Sequence, residues 1–280
     1  MSSDKRTETS DLKQCCARLY ESEIVSRLLG DSFHPGGPAL TERLGQLLDI
    51  TPGSHVLDVA SGKGTSAVVI AQQFGCTVVG VDLSAPNVAE AAAEADRLGL
   101  GSRVRFEVGD AEQLPFDDES VDAIICECAF CTFPDKPQAA REFVRVLKGG
   151  GRVGLSDITR EPGPEDELRE LMAWITCLAD ARPAGTYGEW LTAAGFHNVM
   201  IERHDDALTE MVRAIGTRLF LADVIAGLKK IDLAGIDIVA ANRLARQALR
   251  AVEEHRLGYA IVAATKAADP RGGRGLRPLS

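Results

Sequence analysis

The sequence lacks the features of a membrane-embedded, secreted or nucleic-acid-binding protein. No stretch of about 18 consecutive apolar residues occurs in it, which argues against a membrane-spanning helix. The N-terminal segment MSSDKRTETSDLKQ is polar and has no apolar core of the kind found in signal peptides. Lys and Arg number 31 against 41 Asp and Glu, and the resulting net charge of −10 has the wrong sign for a broad phosphate-binding face. We therefore expect a soluble, cytoplasmic protein with neither membrane nor nucleic acid as a partner.

A disulfide framework is also not expected. The seven cysteines are an odd number in a chain without a secretion signal, so they are better explained as reduced thiols. Hydrophobic residues make up 45% and charged residues 26%, close to the averages for globular chains, which excludes extensive disorder. The 280 residues are thus expected to form one globular body of the size of an enzyme.

From residue 55 onward, short β-branched runs alternate with longer helical segments, and no internal repeat is present. Continuous apolar runs such as Thr77 to Val81 suit strands that are buried on both faces of a parallel sheet. The sequence therefore predicts an α/β fold with a doubly wound, mostly parallel, seven-stranded sheet. The predicted strands are 55–59, 77–81, 103–108, 121–126, 152–156, 199–202 and 259–265.

A small-residue turn follows the first strand, in the run Asp58-Val59-Ala60-Ser61-Gly62-Lys63-Gly64-Thr65. Such a turn lets backbone N–H groups approach a ligand, and Asp82 at the end of the second strand suits ribose hydroxyls. The turn lacks the Gly-x-Gly-x-x-Gly spacing of dinucleotide-binding folds, which makes NAD a poorer candidate. Gly109-Asp110-Ala111 follows the third strand, and Val144-Arg145-Val146-Leu147-Lys148-Gly149-Gly150-Gly151 ends the helix before the fifth.

This succession resembles the class I S-adenosylmethionine-dependent methyltransferases over roughly residues 45 to 160, which implies their Rossmann-like fold. The resemblance implies that S-adenosylmethionine is the cofactor. It also implies which residues bind it: Ala60, Ser61, Gly62 and Gly64 for the methionine part, with Asp58 supporting the loop, Asp82 with Leu83 for the ribose, and Asp110 with Ala111 for the adenine.

The same resemblance organises the chain into four parts. Residues 1–50 are expected to form an N-terminal helical cap, 51–160 the cofactor-binding core, 161–268 the acceptor-side helices with the last strands, and 269–280 a disordered tail. A helical insertion from about 208 to 256 precedes the last strand and carries an apolar stripe through Met211, Ile215 and Leu219. It is interpreted either as packing over the sheet edge or as a lid or homodimer surface.

The methyl acceptor has to be inferred from residues outside the glycine loop. Three thiols, Cys126, Cys128 and Cys131, follow the fourth strand, where ligands bind in open α/β sheets. The segment is similar to the branch that contains the arsenite methyltransferases and the UbiE-type enzymes. That similarity places trivalent arsenic on Cys128 and Cys177, and a soft metalloid held by thiolates needs no general base.

Several alternatives remain open at this stage. The thiols could be packing residues, or Cys126, Cys128, Cys131 and Cys177 could hold zinc. The acceptor could instead be an oxygen, nitrogen or carbon atom of a small organic metabolite, with His34 as general base, although His34 could also only stabilise its Pro/Gly turn. Glu127 could point outward as a solvated charge or inward toward the sulfonium, and the period-two alternation of the strand favours the outward orientation. A protein that binds the cofactor without turnover is the third hypothesis.

Overall fold

The computed structural model describes residues 34–163, 178, 180–229 and 238–268. Seven strands form one sheet in the order β3-β2-β1-β4-β5-β7-β6, in which β7 runs antiparallel to β5 and β6 and the other pairs are parallel. This confirms the predicted doubly wound, mostly parallel sheet. The strands are His55–Val59 (β1), Thr77–Asp82 (β2), Val104–Val108 (β3), Val121–Glu127 (β4), Leu147–Arg160 (β5), Phe196–Arg203 (β6) and Leu257–Lys266 (β7).

Helices connect these strands. They are Gly37–Leu47 (α1), Thr65–Phe74 (α2), Ala85–Arg97 (α3), Lys136–Val146 (α4), Ala184–Ala194 (α5), Asp205–Lys229 (α6) and Ile238–Glu253 (α7), and a 3₁₀ turn spans Phe130–Thr132. Local capping determines several starts: the Ser84 hydroxyl accepts a hydrogen bond from the Asn87 amide, and the Asp135 carboxylate accepts one from the Gln138 amide.

The core lies on both faces of the central strands. Leu57, Ile124 and Ile125 are fully buried, as the apolar runs predict for parallel strands covered by helices. β5 is longer than predicted, because Gly149 to Gly151 continue the strand from Leu147 instead of forming a loop before it. β5 pairs with β7 from Arg152 to Arg160, which extends the sheet beyond the five parallel strands.

The predicted insertion forms two helices, α6 and α7, which pack on each other and on β7. Leu208, Leu244 and Val252 bury the apolar side of this pair. The homodimer surface assigned to the insertion remains a prediction. None of the helices in the described part of the chain is long and apolar enough to cross a membrane. The helical pattern before residue 34, the tail 269–280, Cys15, Cys16 and Cys177 lie outside the described residues.

Candidate active site

A cleft opens at the carboxyl ends of the central strands, beside β1. Its neighbours β2 and β4 lie on opposite sides of β1, so the cleft sits where the strand order reverses, the place where open α/β sheets bind ligands. The walls come from the β1–α2 turn, the end of β2, the turn after β3 and the segment after β4, and His34 adds to them. Ten of the candidate residues line the cleft: His34, Asp58, Ala60, Ser61, Gly62, Asp82, Leu83, Asp110, Ala111 and Cys128.

The glycine loop turns sharply because three of its residues have positive φ: Ala60 (59°), Gly62 (52°) and Gly64 (80°). A side chain built on Gly62 would meet no atom within 4 Å, so this glycine faces open space in the cleft. A side chain on Gly64 would instead lie 2.4 Å from the ring of Phe106. Gly64 is not a wall of the cleft, and it permits close packing of the loop beneath it.

Asp82 joins the glycine loop to the end of β2. Its Oδ2 accepts a hydrogen bond of 2.8 Å from the Gly62 amide, and its Oδ1 accepts one of 2.8 Å from the Ser84 amide. Further along the cleft, Asp110 Oδ1 accepts from the Glu112 amide at 2.9 Å. Each carboxylate oxygen can accept more than one hydrogen bond, so both acids retain capacity for a ligand's hydroxyl or amino groups.

Two buried polar atoms beside the loop are left unsatisfied. Within the described structure, Asp58 Oδ2 and Ser61 Oγ make no hydrogen bond. Burial, together with the nearby charges of Glu127 and Asp82, raises the pKa of Asp58 well above its usual range. Unpaired buried polar atoms are costly, so a ligand with hydrogen-bond donors and positive charge fits here, as the amino and sulfonium groups of S-adenosylmethionine would.

The thiols at the end of β4 and just beyond it have different environments. Cys128 is half-buried, lines the cleft and has a positive φ of 53°, and its amide donates to the Ser156 carbonyl at 2.7 Å. Cys126 and Cys131 are fully buried in the core, and burial raises the pKa of the Cys126 thiol well above its usual range. Across the described residues, no group of three or more His, Cys, Asp or Glu side chains could hold a metal ion.

A polar cluster lies at the end of β4, around Glu127. The Thr41 hydroxyl donates to Glu127 Oε2 at 2.8 Å, and His34 Nε2 lies 3.3 Å from that hydroxyl and 3.6 Å from Glu127 Oε2. His34 Nδ1 lies 3.1 Å from the Pro35 carbonyl, which can only accept, so Nδ1 is the donor in that contact. The neutral imidazole then carries a lone pair on Nε2, which accepts the Thr41 hydroxyl when that proton turns away from Glu127.

The prediction that Glu127 points outward is wrong. Its side chain is only 3% exposed and lines the cleft, because β4 continues through Glu127 and ends at the cleft rather than at the surface. The Ser156 hydroxyl donates to its Oε1 at 2.9 Å. The inward alternative for Glu127 is the one the structure has, whereas Thr41 and Ser156 were not identified from the sequence.

The sequence of this chain is similar to those of known methyltransferases. Residues 57–155 match the family model described as a methyltransferase domain. A phosphoethanolamine N-methyltransferase of Triticum aestivum is 35% identical over 189 residues, which cover 67% of this chain and 37% of the relative. An arsenite methyltransferase of Halobacterium salinarum is 33% identical over 166 residues, which cover 58% of this chain and 42% of the relative.

The fold matches a solved structure as well. Phosphoethanolamine N-methyltransferase 2 of Haemonchus contortus, solved in complex with S-adenosyl-L-methionine, aligns with a TM-score of 0.77 at 19% identity over 91% of this chain and 60% of the other. The chain spans less than half the length of the two sequence relatives described above. Residues 57–155 thus match a methyltransferase domain, and they lie in a fold that is shared with solved methyltransferases.

Proposed function

We propose that the domain transfers a methyl group from S-adenosylmethionine to an oxygen or nitrogen atom of a small organic acceptor. The observation that carries this proposal is the cluster of His34, Thr41 and Glu127, of which His34 and Glu127 line the same cleft as the glycine loop. A histidine lone pair beside a buried carboxylate is the arrangement that a general base requires. The fold brings residues from before β1 and from the end of β4 together beside the loop.

The cofactor would occupy the end of the cleft formed by the glycine loop. We assign the methionine part to Ala60, Ser61 and Gly62, with Asp58 supporting the loop and Gly64 allowing its close packing; the ribose to Asp82 and Leu83; and the adenine to Asp110 and Ala111. When bound, S-adenosylmethionine supplies an electrophilic methyl group on a positively charged sulfur. Asp58 and Glu127 would favour that charge electrostatically, because both carboxyl groups are almost fully buried.

The residues at the other end would manage the acceptor's proton. A bond forms between the acceptor's oxygen or nitrogen and the methyl carbon while the carbon–sulfur bond breaks and its electrons remain on sulfur. The acceptor's proton passes to Nε2 of His34, whose other nitrogen is held by the Pro35 carbonyl. Glu127, 3.6 Å from Nε2, stabilises the imidazolium that results.

The test is a methyl-transfer assay with labelled cofactor and a panel of small alcohols, phenols and amines. For the best acceptor, we expect His34→Gln to lower kcat by about 10²- to 10⁴-fold with cofactor affinity unchanged. His55→Gln is a matched control, because His55 is exposed at the opposite end of the sheet. Full activity of His34→Gln would contradict the proposal.

A second candidate function, methylation of arsenite, is favoured by one specific feature. Cys128 lines the cleft as a half-buried thiol, whereas Cys126 and Cys131 are fully buried. Trivalent arsenic is thiophilic and has its own lone pair, so no proton has to be removed. Cys177, the second thiol assigned to arsenic, lies outside the described residues.

Calorimetric titration of the reduced protein with arsenite separates the two candidates. If arsenite is the acceptor, Cys128→Ser and Cys177→Ser each abolish tight binding. Cys76→Ala is the control, because Cys76 is buried in the core and burial raises the pKa of its thiol to about 11, so it is not a thiolate at neutral pH. If arsenite does not bind to the unmodified protein, the arsenite candidate is wrong and the organic acceptor remains.

A further inference from the structure

Behind the cleft, a line of hydroxyl groups leads from β7 to the carboxylate of Glu127. The Tyr259 hydroxyl lies 3.1 Å from Ser156 Oγ, and the Ser156 hydroxyl donates to Glu127 Oε1 at 2.9 Å. Tyr259 and Ser156 are both completely buried. The three residues come from β7, β5 and β4, which are adjacent in the sheet, so the strand order itself aligns them.

The direction of these hydrogen bonds follows from the groups involved. An ionised carboxylate can only accept, so the Ser156 proton points to Glu127, and the remaining lone pairs of Ser156 Oγ face Tyr259. The Tyr259 hydroxyl also donates to the Ser156 carbonyl at 3.1 Å. Burial and the surrounding negative charges raise the pKa of Tyr259 well above its usual range, so the phenol remains protonated and is a donor. The phenol has one proton, which it gives either to the Ser156 carbonyl or to Ser156 Oγ, and in the second case both hydroxyls point toward the carboxylate.

The opposite oxygen of Glu127 is held in the same way. Thr41 donates to Oε2 at 2.8 Å, so each carboxylate oxygen accepts one hydroxyl from a different element, α1 or β5. A buried carboxylate is expensive unless it is hydrogen-bonded, and two opposed donors also restrict its rotation. The plane of the carboxylate is thereby oriented with Oε2 toward His34 Nε2.

We propose that Ser156 and Tyr259 are positioning residues for methyl transfer, which act through Glu127 by holding its carboxylate toward the acceptor end of the cleft. Neither side chain is part of the cleft wall, so neither is expected to touch the acceptor or the cofactor. The inference rests on the proposed function, since it is Glu127 that the two residues orient.

The experiment compares Ser156→Ala, Ser156→Thr and Tyr259→Phe in the full chain, with the best acceptor from the panel. We expect Ser156→Ala to lower kcat by about 10- to 100-fold, because a hydrogen bond to a charged group is lost, while KM and cofactor affinity stay within about twofold. Ser156→Thr keeps the hydroxyl and should restore most of the rate. Tyr259→Phe should lower kcat less, by about three- to tenfold, because it acts one hydrogen bond further away.

Crystal structures of Ser156→Ala and Tyr259→Phe supply a readout that needs no acceptor. We expect the Glu127 carboxylate to turn away from its place beside His34 in Ser156→Ala. A carboxylate that keeps its position in both variants would overturn the proposal, as would variants that lose thermal stability but retain kcat.

Failure of this inference can be told apart from failure of the proposed function. If Glu127→Gln is slow while Ser156→Ala and Tyr259→Phe are as fast as the unmodified protein, only the positioning role is wrong. If Glu127→Gln is itself fully active, the proposed function is wrong. In the Glu127→Gln background, Ser156→Ala should have no further effect on kcat, because the charge that it orients is already gone.

Discussion

Backbone groups from adjacent β–α turns form one end of the cleft, whereas His34 and Glu127 of β4 form the other, held from behind by side chains of α1 and β5. At the first end, the Asp82 carboxylate accepts hydrogen bonds from the Gly62 and Ser84 amides. All three residues lie within a few positions of the end of a strand. At the second end, Thr41 and Glu127 meet although 86 positions separate them. The first end is therefore defined by local chain geometry, and the second only by the assembled fold.

The comparison predicts that damage to the two ends has different consequences. Changes at the glycine loop should affect folding and cofactor affinity, and changes at the polar cluster should affect the rate of transfer. Each of the following variants tests this separation.

The largest effect is expected at the polar cluster. Glu127→Gln should lower kcat for an oxygen or nitrogen acceptor by about 10²- to 10⁴-fold, since the side chain keeps its size but loses the charge that stabilises protonated His34. Cofactor affinity, measured by calorimetry, should change far less. A variant with an unchanged kcat would remove the distinction between the two ends.

The next effect is on folding. Gly64→Ala should reduce the free energy of unfolding by roughly 2–4 kcal/mol, because its side chain would collide with the Phe106 ring and because φ is 80°. Gly62→Ala is the matched control: it carries similar backbone strain but meets open space, so it should lose about 1–2 kcal/mol. Denaturant titration measures both, and equal losses would contradict the packing role of Gly64.

At the end of β2, Asp82→Ala should weaken cofactor binding by about 1–3 kcal/mol through lost hydrogen bonds to the ribose and a loosened Gly62 amide. Isothermal titration with S-adenosylhomocysteine gives this value directly. Asp117→Ala removes another acid, one that does not line the cleft, and should bind as the unmodified protein does. Unchanged affinity in Asp82→Ala would refute the ribose assignment.

The smallest effect concerns Asp58. Its pKa is raised in the folded protein, so folding takes up a proton and stability falls as pH rises above the ordinary value of 3.8. Asp58→Asn removes this cost and should make the unliganded protein more stable near neutral pH, by roughly 1 kcal/mol. The gain should vanish below about pH 4. Thermal unfolding across this range tests the sign, and a gain that grows toward low pH would contradict it.

The same contrast explains which features could be predicted from the sequence. The alternation of apolar runs and helical segments predicted all seven strands, and the small-residue turn followed by Asp82 predicted the cofactor end, because both patterns are local. β5 was predicted too short, because Gly149 to Gly151 have little strand preference of their own and because pairing with β7 continues the strand to Arg160.

The acceptor end was harder to predict for a physical reason. The period-two alternation of the strand favoured an outward Glu127, but the hydroxyls of Thr41 and Ser156 make its burial tolerable. Those partners lie on elements that the sequence does not show to be neighbours. His34 was recognised as a candidate from its loop, but its contact with Glu127 required the folded chain.

A crystal structure of the full chain with S-adenosylhomocysteine would test most directly whether both ends serve one reaction. We predict that the ribose hydroxyls of this ligand contact Asp82. We also predict that its sulfur points toward the space between Cys128 and the His34–Glu127 pair. A ligand whose sulfur faces away from Glu127, or one bound outside the cleft, would contradict it.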